Sequence, residues 1–116
     1  MKSVWVVEDD PDIAEGCRLA LENAGFAVQV CRSGEHATAR IPSEPGADAV
    51  ILDLHLPGLG GEAVLRTIQS HWPETKVFVV SADHLQAGMF AAQVCEVLIK
   101  PVGLKALVEL IRRYCF

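Results

Sequence analysis

Five short apolar runs, rich in β-branched residues, punctuate the chain at positions 4–7, 26–31, 49–52, 77–80 and 97–99. The segments between them carry helical periodicity instead. Ile13, Cys17, Ala20, Leu21 and Ala24 share one helix face, and Gly25 then ends that helix. Ala37 and Ile41 support a short helix after Ser33, and Leu65 and Ile68 a third, closed by Trp72 and Pro73. Residues 84–93, rich in Ala and Gln, form a weaker fourth. Leu104, Leu107, Val108 and Ile111 fit the i, i+3, i+4, i+7 pattern of a fifth. Strand and helix therefore alternate throughout, which predicts an α/β fold with a parallel sheet covered by helices on both faces. Four of the runs are continuously apolar, as expected for strands covered on both sides. The second alternates, with Phe26, Val28 and Val30 opposed to Ala27, Gln29 and Cys31, and is expected at an edge.

Composition narrows the field. A chain of 116 residues, 51% hydrophobic, suits one domain with a real core. Its net charge of −5 argues against nucleic acid as a direct partner, because phosphate backbones demand a basic stripe. No apolar run approaches the roughly 18 residues of a membrane-spanning helix, and nothing resembles a signal peptide. Cys17, Cys31, Cys95 and Cys115 lack metal-ligand spacing, so free thiols in a reducing cytoplasm are expected. No internal repeat or linker interrupts the chain.

The chemistry gathers where the apolar runs stop. The first ends in Glu8 and Asp9, the third in Asp53, the fourth in Ser81 and the fifth in Lys100. Open parallel sheets bind ligands beyond the carboxyl ends of their strands, and here four strands deliver a charged or polar group to that edge. Three carboxylates repel one another unless a cation lies among them. Oxygen-only ligands suit Mg²⁺, which keeps positions open for water or phosphate oxygens. Lys100 and Ser81 offer a point charge and a hydroxyl to an anion, most naturally a phosphoryl group. Asp53 is then the expected acceptor, since a carboxylate can attack phosphorus to give an aspartyl phosphate. Asp10 and Asp12 are expected to cap the first helix rather than bind metal. His36, His71 and His84 are expected at the surface.

The segments "VVEDDPD", "VILDLHLPGLGG", "VFVVSAD" and "LIKP" occur in this order. With them the chain resembles the receiver domain of two-component response regulators, over a core of residues 3–113 and a domain of 1–116. The resemblance implies a single-domain (βα)5 flavodoxin-like sandwich with strand order 2-1-3-4-5. It implies that Asp53 is the phosphoacceptor, with Ser81 and Lys100 facing the phosphoryl group. Glu8, Asp9, Asp53 and the backbone carbonyl of His55 would hold Mg²⁺, with Glu8 acting partly through water. The imidazole of His55 is expected to face solvent as a modulator. Pro57 and Gly58 match the loop after the acceptor, and the Lys100–Pro101 peptide is expected to be cis. The implied partners are a histidine kinase or a histidine phosphotransfer protein and a downstream protein. A cytoplasmic monomer or weak dimer is expected, with no enzymatic activity beyond phosphoryl transfer to itself and autodephosphorylation.

Three positions depart from the family pattern. Val97 stands where an aromatic switch residue is common. The stretch from Ser81 to Lys100 is shorter than usual. The last helix opens at Gly103, a weaker cap than Asp or Ser. Output is therefore expected through the loop after Ser81 and the trimmed fourth helix. No output domain follows the fifth helix, so the chain reads either as a stand-alone regulator or as a receiver fragment of a larger regulator or hybrid kinase; the initial Met1 slightly favours a natural N-terminus and leaves the C-terminus open. A phosphohydrolase of the haloacid-dehalogenase type would need a second Asp where His55 stands. A nucleotide-binding module would need a Gly- and Ser-rich first loop in place of an acidic one. A degenerate receiver would have lost one of the acidic residues or the Lys.

Overall fold

The computed structural model describes residues 1–115; Phe116, the last residue of the expected domain, lies outside the described residues. Five strands alternate with five α-helices: β1 (Ser3–Val7), α1 (Pro11–Asn23), β2 (Ala27–Cys31), α2 (Gly34–Arg40), β3 (Ala49–Asp53), α3 (Gly61–His71), β4 (Lys76–Ser81), α4 (His84–Phe90), β5 (Glu96–Ile99) and α5 (Leu104–Cys115). Short 3-10 turns follow α2 and α4. All strand pairs are parallel, and the order is β2-β1-β3-β4-β5. This is the flavodoxin-like sandwich that the alternation and the resemblance lead one to expect.

Side chains alternate across a strand, so each inner strand feeds two cores. Val4 and Val6 pack with Leu21, Phe78, Leu107 and Ile111 on the side of α1 and α5. Trp5 and Val7 pack with Ile41, Leu65, Ile68 and Phe90 on the side of α2, α3 and α4. Trp5 meets Trp72 edge to face at 4.9 Å, and the Arg40 guanidinium lies 4.7 Å from the centre of the Trp5 ring. Among the described residues no helix is long and apolar enough to cross a membrane.

Helix starts follow the sequence. Asp10 caps α1, its carboxylate accepting from the N–H groups of Asp12 and Ile13. Asp12 lies in the first turn, where its charge favours the dipole. Ser33 caps α2 and Asp83 caps α4. Gly25 takes the left-handed conformation (φ 97°) that closes α1.

Two expectations fail. β5 is not buried as the other continuously apolar strands are: all four of its residues are only half-buried, on the second edge of the sheet, where the strand order implied by the resemblance puts it. A run of three apolar residues cannot reveal whether another strand lies beyond it. Ile13 does not join the core either. It is 43% exposed, while Ala14, Cys17 and Leu21 carry the buried face of α1. Cys17 and Leu21 are buried as inferred, Ala14 takes the place of Ile13, and Ile13 instead lines a cavity between α1 and the start of α5.

Candidate functional site

β1, β3, β4 and β5 are consecutive neighbours in the sheet, so their ends share one edge. The backbone of Glu8 still bonds to Cys31 at 3.0 Å, which fixes it beyond Val7. Asp53 closes β3, Ser81 closes β4, and Lys100 follows β5 with its N–H on the Ser81 carbonyl at 2.9 Å. The Lys100–Pro101 peptide is cis, as the resemblance implies. Glu8, Asp53 and Ser81 are buried, polar groups at the margin of an apolar interior.

The charged groups meet closely. Ligand oxygens of Glu8, Asp9 and Asp53 all lie within 4.8 Å of one another. Lys100 Nζ is 3.0 Å from Asp53 Oδ2 and 3.5 Å from Glu8 Oε1. The other oxygen of Asp53 accepts from the backbone N–H of His55 at 2.9 Å. Three carboxylates against one ammonium leave a net negative pocket made of hard oxygen ligands, a donor set that fits Mg²⁺.

Some contacts were not foreseen. His55 is exposed, yet its imidazole does not simply face solvent: Nε2 lies 3.1 Å from Ser81 Oγ. The two residues are 26 apart in sequence, and no local spacing joins them. Arg32, just past β2, donates from Nε and Nη2 to the Asp9 carbonyl at 3.2 and 2.8 Å. The only sequence signal for this contact is that β2 and β1 are neighbours ending at the same edge. Glu35 accepts from the Leu59 N–H at 3.3 Å, pinning the loop after β3 near Gly58, whose φ is 68°. His36, His71 and His84 are at the surface. Val97 pairs with Val79 and is half-buried on the edge strand.

A family model described as the response regulator receiver domain matches residues 4–112. The chain belongs to the response regulator receiver family. Its relatives include the DNA-binding transcriptional regulator NtrC of Salmonella typhimurium, 31% identical over 113 residues, 95% of this chain and 24% of that protein. The regulatory protein VanRB of Enterococcus faecalis is 31% identical over 108 residues, 91% of this chain and 49% of that protein. The receiver thus spans a quarter to a half of the length of these relatives. Among solved structures it resembles a CheY-like receiver domain protein from Methanospirillum hungatei, with a TM-score of 0.89 and 25% identity over 97% of this chain and 92% of that one. It also resembles the response regulator TrrA of Thermotoga maritima in complex with Mg²⁺-BeF, with a TM-score of 0.86 and 26% identity over 98% and 99% of the two chains.

Electrostatics at this receiver's edge are dominated by burial. Desolvation pushes the Glu8 carboxyl from 4.5 up to about 7. A hydrogen bond from the Asp10 N–H opposes the rise, the Asp53 carboxylate adds to it, and Lys100 opposes it. Lys100 itself shifts upward: burial pulls it down, but its hydrogen bond to Asp53 and the charges of Asp53 and Glu8 prevail. Folded, metal-free protein thus retains a proton on Glu8 that the unfolded chain releases above 4.5. That contribution to stability is complete below about 4.5 and is lost as pH rises through about 7. In EDTA, stability should therefore fall by about 2 kcal/mol between pH 5 and 8, once screening by water is allowed for. Glu8→Gln should flatten the slope. Thermal melts at fixed ionic strength check it; an unchanged slope in the variant would assign the pH dependence elsewhere.

Proposed function

We propose that Asp53 accepts a phosphoryl group from the phosphohistidine of a partner kinase or phosphotransfer protein. A new O–P bond forms at Asp53 as the N–P bond to the donor imidazole breaks, and the donor leaves with the electron pair. The observation that carries this reading is the Asp53 carboxylate, buried at a strand end, 3.0 Å from Lys100 and within 4.8 Å of the ligand oxygens of Glu8 and Asp9. Lys100 would pair with a phosphoryl oxygen, and the Ser81 hydroxyl would donate to one. Glu8, Asp9, Asp53 and the carbonyl of His55 would hold Mg²⁺. When bound there, the ion neutralises charge on the transferring group. The Mg²⁺-BeF complex of TrrA supports the choice of ion and of group.

The test is direct. With acetyl phosphate and Mg²⁺ the protein should gain one phosphoryl group by intact mass, and EDTA should prevent it. An adduct formed equally well in EDTA would overturn the assignment.

The readout in this proposal avoids Val97. A short β-branched side chain has a stiff χ1 and moves little surface. A switch shifts populations only by its differential binding energy. The loop after Ser81 and α4 would carry the change instead. Their elements are slight: α4 has seven residues, and Leu85 and Met89 are 84% and 74% exposed on it. Amide hydrogen exchange with beryllofluoride should change most over residues 82–93, and Val97→Ala should leave that pattern in place. Loss of the response in Val97→Ala, with beryllofluoride still bound, would make Val97 the switch.

A further inference from the structure

We propose that His55 is a positioning residue that latches the Ser81 hydroxyl in a resting state. A phosphoryl group on Asp53 must then compete with the imidazole for it. This rests on Asp53 being the acceptor. A serine hydroxyl has one proton to donate and two lone pairs to accept with. Around Ser81 Oγ, the Asp83 N–H donates at 3.0 Å, the Asp83 carbonyl lies at 3.2 Å and His55 Nε2 at 3.1 Å.

Two assignments satisfy this set. In one, the hydroxyl proton goes to the Asp83 carbonyl and a His55 N–H fills the second lone pair. In the other, the proton goes to an unprotonated Nε2. Both commit the single proton away from Asp53. Ser81 is 0% exposed, so water cannot substitute for a lost partner.

Residue 55 thereby couples two parts of the site. Its backbone N–H holds Asp53 Oδ1 at 2.9 Å while its ring holds Ser81. Ser81 is anchored in β4, whose neighbours are β3 and β5. The ring stands on an exposed loop. Release is therefore a rotation of the imidazole, not a movement of the strand. The ring sets how readily the hydroxyl is handed over.

Beryllofluoride with Mg²⁺ probes this without covalent turnover. Four proteins are titrated: wild type, His55→Ala, Ser81→Ala and the double variant. His55→Ala should bind about five-fold more tightly, the factor that one ordinary net hydrogen bond supplies. In the Ser81→Ala background the same replacement should change nothing, since the latch then has no partner. His55→Gln, which offers an amide in place of Nε2, should stay near wild type. A separate readout needs no ligand: the Nε2 nitrogen resonance of His55 should move in Ser81→Ala. An equal gain in both backgrounds would make the ring a mere obstacle. No gain, or a still resonance, would overturn the latch while leaving Asp53 as acceptor. Wild type that takes up neither beryllofluoride nor a phosphoryl group would overturn both readings.

Discussion

Asp53→Asn should abolish the phosphoryl adduct completely. The amide matches the carboxylate in shape but has no anionic oxygen to attack phosphorus. It also removes one of the three carboxylates of the cluster, so metal affinity should fall with it. The loss should not reflect unfolding, because two effects oppose each other. Lys100 loses its partner at 3.0 Å and keeps only Glu8 at 3.5 Å. In return, the Asp53 charge no longer pushes on Glu8, whose carboxyl should titrate below its present value of about 7. The melting temperature should therefore shift little in EDTA, while stabilisation by Mg²⁺ shrinks. Intact mass after acetyl phosphate and Mg²⁺ gives the first answer, and melts with and without the ion give the second. An adduct of the same yield in Asp53→Asn would place the acceptor elsewhere in the chain.

The charged edge was legible because it depends on few inferences. Apolar runs mark the inner strands, parallel topology aligns their ends, and whatever follows each run shares one edge. That logic needs no rotamers, and it brought Glu8, Asp9, Asp53, Ser81 and Lys100 together. Details that depend on side-chain direction stayed hidden. Nothing in "DLH" says that the His55 ring turns toward the end of β4. Nothing around Arg32 says that its guanidinium crosses to the Asp9 carbonyl. Periodicity found Cys17 and Leu21 on the buried face of α1 but also put Ile13 there, which stands 43% exposed. The edge position of β5 came with the strand order that the resemblance implies, since no property of residues 97–99 encodes it.

Gly34 carried no signal at all, and its replacement should cost the most stability. It opens α2 just after the Ser33 cap. A Cβ there would clash with the backbone oxygen of Leu59 and lie 3.4 Å from Val64 Cγ2. Its φ is not left-handed, so the requirement is for space rather than conformation. The obstacle is backbone, which cannot rotate away as a side chain would. The loop is also held from the other side, where Glu35 accepts from the Leu59 N–H at 3.3 Å. Gly34→Ala must therefore displace the segment between β3 and α3, the one that carries His55. Forced overpacking costs about 3 kcal/mol at the upper end of its usual range. For a domain of this size that corresponds to a melting temperature lower by about 10 °C. Because the loop also shapes the mouth of the site, beryllofluoride binding should weaken with it. Gly88→Ala supplies the contrast. Nothing lies within 4 Å of a Cβ at that position in α4, so the gain in helix propensity should stabilise the protein by about 0.5–1 kcal/mol. Opposite signs for two Gly→Ala changes in helices would tie the cost at Gly34 to the Leu59 contact. A Gly34→Ala melt within about 2 °C of wild type, under about 1 kcal/mol on the same scale, would show that the loop yields freely and does not hold the site in place.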